Sequence, residues 1–453
     1  MLRRRSRVPH TSSAPDRKTA AIPVFPSLFN SRSPGQDRAA TKASYRRQRD
    51  REPPVTRNEL ASRERFTPVQ ITTRSRVAAV AIAGTLALAG CGSDNNTTSE
   101  TTSGGATTAS SGATSAGSET TGASTDCPSG TLNAEGSSAQ KNAFEEVVAA
   151  YNEKCADVTI NYNPSGSGTG IKQFNAGQVD FAGSDSALKT EEKDGVIEVD
   201  AAKKRCNSDA WNLPMVVGPI SVAYNLPGVD TLVLTPEVIS GIFQGEITKW
   251  SDEKIAALNK DAKLPDTEIK PFFRSDESGT TDNFTKYLKA AGGDSWKADP
   301  GKVWTGKGEG KEKSSGVSDA VKTTEGGVTY VEWSYAKDNG LAMAQIDNGS
   351  GPVELTAEAV GKFIAAAKAD GTGNDLRLKL DYATKEAGAY PIGLVTYEIV
   401  CSKNADASKQ AMIKSFLSFF ATPETQSSLE ELGYAPLPAD VQTKVAAAVE
   451  ALS

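Results

Sequence analysis

The heptapeptide RSDESGT, residues 274–280, joins a short apolar run to a helix-like run. The preceding residues, 269–273, have the pattern of a strand, and Phe284 and Tyr287 follow at helical spacing. A strand–turn–helix unit of this kind is typical of an α/β fold. The first turn of a helix has unpaired N–H groups and a partial positive charge, so it attracts anions. Arg274 adds a rigid fork of donors that matches a tetrahedral oxyanion.

Two more turns in the chain share the hydroxyl and glycine chemistry of Ser278-Gly279-Thr280. They are Gly136-Ser137-Ser138 and the run GSGTG at residues 166–170, and each precedes a helix-like run. A further strand-like run ends in a carboxylate at Asp185. Ligands of open α/β sheets bind outside the carboxyl ends of the strands. The joint occurrence of these turns with Arg274 therefore predicts a single cleft that binds an oxyanion.

Strands alternate with helices from residue 130 onward, which indicates parallel βαβ units and an α/β fold. Two long apolar strands, near residues 215–224 and 390–401, are the expected crossovers between two doubly wound lobes. We expect lobe I to comprise residues 127–216 and 390–453, and lobe II to comprise residues 217–389. The run 306–311 is rich in Gly and Lys but lacks the first Gly and the Ser or Thr of a P-loop, and we interpret it as a surface loop.

Charge divides the 453-residue chain into a basic tail and an acidic body. Residues 1–76 contain 18 of the 50 Lys and Arg residues and 6 of the 56 Asp and Glu residues. Residues 77–453 therefore contain 32 basic and 50 acidic residues, which gives them a net charge of −18. An apolar run at residues 77–88 follows two arginines, as in a secretory signal peptide, and it is too short for a comfortable membrane span. Its ending, Leu88-Ala89-Gly90-Cys91, resembles a bacterial lipobox, which implies a diacylglyceryl anchor on Cys91.

The first 126 residues are therefore expected to contain a targeting signal and a flexible tether rather than a folded domain. We predict a signal peptide over residues 69–90. Residues 1–68 would be a disordered basic extension or would precede a true translation start near Val69. Residues 91–126 are almost wholly small and polar, which predicts a flexible tether that links a lipid anchor on the bacterial cell membrane to an extracytoplasmic body.

Four cysteines remain in the body, and outside the cytoplasm an even number favours disulfides, with three possible pairings. Cys127 and Cys155 precede the first two strands and would meet at one end of a parallel pair. We therefore expect Cys127–Cys155 and Cys206–Cys401. Histidine occurs once, at His10, which excludes His-dependent nucleophilic catalysis and His-based metal sites from the body. We expect no cofactor, no metal and no enzymatic activity, although Ser–Lys or carboxylate chemistry stays possible.

Seven short motifs across residues 130–440 resemble, in chain order, those of the phosphate-binding proteins of bacterial high-affinity phosphate ABC transporters, the PstS family. They are residues 136–139, 166–173, 179–185, 225–228, 245–252, 274–280 and 327–332. The resemblance implies a two-lobed periplasmic-binding-protein fold, type II-like, that captures inorganic phosphate between its lobes. It also implies delivery to a permease with ATPase subunits in the cytoplasm. We expect a monomer without a nucleic-acid partner.

The same resemblance implies which residues contact phosphate. The donors would be Ser138, the backbone N–H of Ala139, Ser167, Arg274, Ser278, Gly279 and Thr280. Asp185 would accept a hydrogen bond from the ligand's own proton, and Asp276 would pair with Arg274. A buried carboxylate that faces sulfate has no donor to meet it, which is costly, so Asp185 would discriminate between the two anions. A secreted phosphatase, a lipoprotein that senses phosphate without transport, and a binder of another oxyanion such as arsenate are the alternatives.

Overall fold

The computed structural model describes residues 127–193 and 195–453. The predicted signal peptide, the lipidation site Cys91 and the tether lie outside the described residues. Within the described ranges, no helix combines the length and the apolar character that crossing a bilayer requires. All of the described residues belong to one compact unit.

The described part of the chain contains twelve α-helices, six of which begin at a residue whose side chain caps the first turn. They are α1 Lys141–Lys154, α2 Ser167–Asn175, α3 Glu198–Cys206, α4 Pro236–Gln244, α5 Glu253–Leu258, α6 Gly279–Gly292, α7 Lys313–Lys322, α8 Trp333–Asn339, α9 Ala357–Ala365, α10 Ala407–Phe420, α11 Pro423–Ser428 and α12 Ala439–Glu450. Short 3-10 turns span Gly293–Ser295 and Leu429–Leu432. Helix α4 illustrates the local signals, because Thr235 accepts a hydrogen bond from Val238 N–H at its start and Gly245 ends it in the left-handed conformation.

Fourteen strands occur in the same residues. They are β1 Gly130–Gly136, β2 Val158–Asn163, β3 Phe181–Ser184, β4 Ala210–Tyr224, β5 Val233–Leu234, β6 Lys270–Arg274, β7 Glu309–Lys311, β8 Gly327–Glu332, β9 Ala342–Met343, β10 Gln345–Asp347, β11 Pro352–Val353, β12 Lys368–Ala369, β13 Leu378–Lys379 and β14 Gly393–Cys401. Residues 309–311 were part of the run interpreted as a surface loop. That interpretation is wrong for them, because they form β7 and pair with β6.

One main sheet has the strand order β2-β1-β3-β14-β4-β8-β6-β7, and β9 adds to β4. The strands β1, β2 and β3 are mutually parallel, and so are β6, β7 and β8. Antiparallel pairs of β14 and β4 separate these two parallel sets. Two smaller sheets, β11-β10-β5 and β12-β13, complete the fold. The α/β fold expected from the sequence is thereby confirmed.

Strand β4 is the crossover on which the two parallel sets meet. Its first part, residues 210–219, pairs with β14, and its last part, residues 220–224, pairs with β8. Strand β14 pairs only with β3 and β4 in the described residues. We keep the names lobe I and lobe II for the residue ranges given above, so that β1–β3 belong to lobe I and β6–β8 to lobe II.

Two disulfides tie elements of lobe I together. Cys127 bonds to Cys155, next to the starts of β1 and β2, and Cys206 at the end of α3 bonds to Cys401 at the end of β14. Glycine is required at one strand end nearby, since Gly136 has a φ of 150° and a Cβ on it would lie 1.9 Å from the carbonyl oxygen of Gly183. This close approach draws the ends of β1 and β3 together.

Aromatic side chains fill the core behind the turn at residues 278–280. Phe284 of α6 stacks on Tyr330 of β8 with 4.4 Å between ring centroids, and Trp304 stacks on Tyr330 at 5.1 Å. The hydroxyl of Tyr330 also accepts a hydrogen bond from the backbone N–H of Arg274 at 3.2 Å. The packing therefore fixes both the helix and the strand that supply lobe II's part of the site.

Candidate anion-binding site

Two sets of three parallel strands, β1–β3 of lobe I and β6–β8 of lobe II, end at one place in the fold. Lobe I brings Ser138 after β1, Ser167 at the start of α2, and Asp185 after β3. Lobe II brings Arg274 at the end of β6, the start of α6, and the first turn of α7 after β7. The two sets meet directly, because the hydroxyls of Ser138 and Ser314 are 2.9 Å apart and both side chains are buried.

Arg274 is a buried cation, with only 2 % of its surface exposed. Its Nε lies 2.7 Å from Oδ1 of Asp276 and its Nη2 lies 2.5 Å from Oδ2, a two-point pairing that fixes the plane of the guanidinium. Burial opposes both charges, but the mutual pairing raises the pKa of Arg274 and lowers the pKa of Asp276. Asp276 also accepts the N–H of Lys313 at 3.0 Å, so it positions the arginine and the start of α7 together.

The outer nitrogen of Arg274, Nη1, points to hydroxyl groups rather than to a carboxylate. It donates to Ser314 Oγ at 3.1 Å and to Thr280 Oγ1 at 3.3 Å. The hydroxyl of Thr280 in turn donates to Oε1 of Glu332, which is fully buried at the end of β8. These hydroxyl contacts leave one edge of the guanidinium among groups that are able to turn toward an oxyanion.

Asp185 is the buried carboxylate of lobe I, with 3 % of its surface exposed. Thr396 of β14 donates to its Oδ1 at 2.7 Å, and Ser167 donates to its Oδ2 at 3.1 Å. Burial raises the pKa of Asp185 to about 6, and hydrogen bonds from Ser137, Thr396 and Ser167 limit the rise. The group is therefore mostly ionised at neutral pH and titrates slightly below it.

The start of α6 lies against the groups of lobe I. A Cβ on Gly279 would come 2.4 Å from Ser167 Oγ and 2.6 Å from Asp185 Oδ2, so only glycine permits this approach. The hydroxyl of Ser278 caps the helix by accepting the N–H of Thr281 at 3.1 Å, and the N–H of Ser278 donates to the carbonyl of Lys302 at 2.9 Å. The cap holds the first turn of α6 with its N–H groups at the interface of the two lobes.

Ala139, whose N–H was expected to face an anion, is buried at the turn after β1. Its N–H donates to Ser137 Oγ at 3.0 Å. The carbonyl of Ser138 accepts the hydroxyl of Tyr335 at 2.9 Å, which ties this turn to α8 of lobe II. The structure thus brings the turn of β1 to the interface through the side chain of Ser138, with Ala139 directly beneath it.

Three residues of the cluster were not singled out from the sequence, namely Ser314, Thr396 and Glu332. A signal for Ser314 was present, because Ser314-Ser315-Gly316 repeats the hydroxyl and glycine pattern of the other turns. Its significance was missed because the run before it was interpreted as a surface loop. Thr396 stands inside a long apolar strand, and Glu332 belongs to a motif quoted without a role, so their positions follow only from the pairing of the strands.

The cluster combines the guanidinium of Arg274, five hydroxyls, a helix start and, in Asp185, a carboxylate that still has acceptor capacity. Such a set can hold an oxyanion by hydrogen bonds, and the carboxylate favours an oxyanion that carries a proton. Among residues 127–193 and 195–453, no group of three or more His, Cys, Asp and Glu side chains is placed to hold a metal ion.

Comparison with known proteins agrees with this chemistry. The family model of the PBP superfamily domain matches residues 96–424. Phosphate-binding protein PstS 3 of Mycobacterium tuberculosis is 44 % identical over 380 residues, which are 83 % of this chain and 97 % of that protein. PstS 2 of the same organism is 43 % identical over 377 residues, 82 % of this chain and 96 % of that one.

A solved structure supports the fold at lower identity. A high-affinity periplasmic phosphate-binding protein, determined with phosphate bound, covers 70 % of this chain and 93 % of its own with a TM-score of 0.56 and 19 % identity. The similarity to the mycobacterial proteins extends over nearly their whole length. The chain therefore belongs to the PBP superfamily and, within it, to the family of PstS phosphate-binding proteins.

Proposed function

We propose that this protein captures inorganic phosphate between its two lobes and delivers it to an ABC permease. The observation that carries the proposal is the position of Asp185, a buried carboxylate among groups that otherwise donate hydrogen bonds. Hydrogen phosphate can donate a hydrogen bond to that carboxylate through its own proton, whereas sulfate has no proton with which to do so. The names of the mycobacterial relatives support the same ligand.

The residues proposed to contact phosphate are those at the strand ends. Ser138, Ser167, Thr280 and Ser314 would supply hydroxyls; Gly279 and neighbouring N–H groups would supply the helix start; Arg274 would supply charge. Asp276 would hold Arg274 without touching the ligand, as its two-point pairing suggests. Ser278 would cap α6, and Ala139 would support the turn after β1. Binding and release are proposed to occur without chemical conversion of the ligand.

Calorimetric titration of residues 127–453 with phosphate and with sulfate tests this function. The protein must first be dialysed against an enzymatic phosphate scavenger, so that phosphate carried through purification does not mask binding. We expect saturable binding of one phosphate per chain and at least about 100-fold weaker binding of sulfate, the range that an unpaired buried acceptor produces. Equal affinity for the two anions, or steady release of phosphate from a phosphoester, would contradict the proposal.

The sequence signals support a proposal for where the protein is located. Cleavage before Cys91 and lipidation of its thiol would hold the body on the outer side of the cell membrane, through the tether 91–126. Detergent partitioning of the native protein and of a Cys91→Ala variant checks the anchor, since the variant should move to the aqueous phase.

A further inference from the structure

Lys302 is a buried lysine outside the groups assigned to the anion. It is 6 % exposed and lies in the segment between α6 and β7, in lobe II. Its Nζ is 3.3 Å from Oε1 of Glu198, the first residue of α3 in lobe I. Because the partners belong to different lobes, the pair exists only when those surfaces are together.

Both partners of this pair are anchored in their own lobe. The second oxygen of Glu198, Oε2, accepts the N–H of Lys189 at 2.9 Å, four residues after Asp185. Helix α3 is also fastened to β14 by the disulfide between Cys206 and Cys401. The Glu198 carboxylate is therefore fixed within lobe I in two ways, by the hydrogen bond from Lys189 and by the disulfide that joins its helix to β14.

The lysine end is connected to the anion-binding helix. The carbonyl of Lys302 accepts the N–H of Ser278 at 2.9 Å, and Ser278 caps the start of α6. The residue next to that cap, Gly279, lies against Ser167 and Asp185. A displacement of the segment that contains Lys302 would therefore also move the first turn of α6, which would face phosphate.

We propose that Glu198 and Lys302 form a closure latch, a cross-lobe ion pair that stabilises the closed cleft and positions the start of α6 for ligand. The inference rests on the proposed capture of phosphate between the lobes. Neither residue touches the anion, so the latch acts on how long the cleft stays closed and not on which anion it selects. The equilibrium between the open and the closed form shifts toward the closed form by the free energy of the contacts that are made only in that form.

A second cross-lobe ion pair offers a matched control. Lys172 Nζ lies 2.6 Å from Glu277 Oε1, but the two side chains are 67 % and 38 % exposed. Solvent-exposed pairs contribute little, whereas breaking a buried pair leaves an uncompensated charge and acts mainly on dissociation. The two pairs have the same charges and bridge the same lobes, but in the first the side chains of Lys302 and Glu198 are only 7 % and 24 % exposed, so its lysine is buried and its carboxylate is partly buried.

The test measures phosphate association and dissociation rates by stopped flow, with a fluorescent probe on the purified protein. Glu198→Gln should speed dissociation about tenfold or more and change association little, with an unchanged ratio of phosphate to sulfate affinity. Lys172→Gln should stay within about threefold of wild type. Adding Lys302→Met to Glu198→Gln should recover part of the loss, because it removes the unpaired buried charge.

Several outcomes would overturn the latch. Equal dissociation rates for Glu198→Gln and Lys172→Gln would remove its basis, and so would a double variant that is no better than Glu198→Gln. A changed phosphate-to-sulfate ratio would place Glu198 in recognition instead. If a variant unfolds, its melting temperature without ligand reveals it, and Lys302→Met alone then serves as the second probe. Wild-type protein that fails to bind phosphate contradicts the proposed function, whereas wild-type binding with unaffected variants contradicts only the latch.

Discussion

Lobe II presents a fixed cation to the cleft, whereas lobe I presents a carboxylate whose protonation can change near neutral pH. Arg274 is neutralised on one side by Asp276 and turns its other edge to hydroxyls. Asp185 is surrounded by hydroxyl donors and has no cationic partner among the hydrogen bonds and ion pairs of the described residues. In the proposed site, the first arrangement would attract any oxyanion, and the second would accept only one that can donate a hydrogen bond. Attraction and discrimination are therefore assigned to opposite walls.

Net charge cannot be what holds an anion here. Arg274 is close to two carboxylates, Asp276 and Glu332, and residues 77–453 carry a net charge of −18. Hydrogen bonds and the dipole at the start of α6 act at contact distance, while the diffuse charge of the body is screened over about 10 Å. An anion site can therefore exist on an acidic protein, provided that its hydrogen-bond donors point toward the anion and are shielded from water.

Removing the cation of lobe II should have the largest effect. Arg274→Ala deletes the charged donor and leaves Asp276, whose side chain is only 14 % exposed, without its partner, which should lower the free energy of unfolding by up to about 3 kcal/mol. We expect phosphate affinity to fall at least about 100-fold by calorimetry, together with a lower melting temperature. Arg274→Lys keeps the charge but loses the two-point pairing, so it should bind with intermediate affinity. An Arg274→Ala protein that binds phosphate normally would refute the role of this wall.

Removing the charge of lobe I should change selectivity more than affinity. Asp185→Asn replaces a group that only accepts by one that also donates, so sulfate no longer meets an unpaired acceptor. We expect the preference for phosphate over sulfate to shrink by about 100-fold, with phosphate itself bound less tightly. Equal selectivity in mutant and wild type would contradict the assignment. Lys172→Gln, at an exposed cross-lobe pair, should leave the preference unchanged.

Protonation of Asp185 should imitate that substitution. Its pKa is raised to about 6, so the carboxyl gains a proton as the pH falls from 7 to 5 and becomes a donor. If sulfate binds only the protonated form, its apparent affinity should rise about tenfold over this interval, following the protonated fraction. Sulfate titrations at several pH values measure this, and the trend should vanish in Asp185→Asn. A flat pH profile in the wild type would separate Asp185 from sulfate exclusion.

Much of this site could be predicted because its signals are local. Ser138, Ser167, Asp185, Arg274 and Thr280 each follow a strand-like run, and the rule that parallel strands end together gathers them. The pairing of Arg274 with Asp276 is equally local, since only Ser275 lies between them. These residues lie within one cluster in the structure.

The remainder depended on pairing between distant strands. Thr396 contacts Asp185 because β14 lies between β3 and β4. The apolar residues around Thr396 in the sequence do not indicate that it belongs to a binding site. The latch between Glu198 and Lys302 joins residues 104 positions apart in segments without a motif. Such contacts arise from how the lobes meet, which periodicity and capping signals do not encode.

Ser314 lies between these two cases and allows the smallest effect to be tested. Its hydroxyl is placed between Arg274 Nη1 at 3.1 Å and Ser138 Oγ at 2.9 Å, so it joins the cation of lobe II to the first turn of lobe I. Ser314→Ala removes one hydrogen-bonding group without a charge, which costs about 1 kcal/mol, and should weaken phosphate binding about fivefold. Ser315→Ala is the matched control, because that side chain is exposed one residue further along α7. Calorimetry on both variants decides the matter. If they bind equally, the contact of Ser314 with Arg274 does not serve the ligand, and the donors of lobe II reduce to the guanidinium and the start of α6.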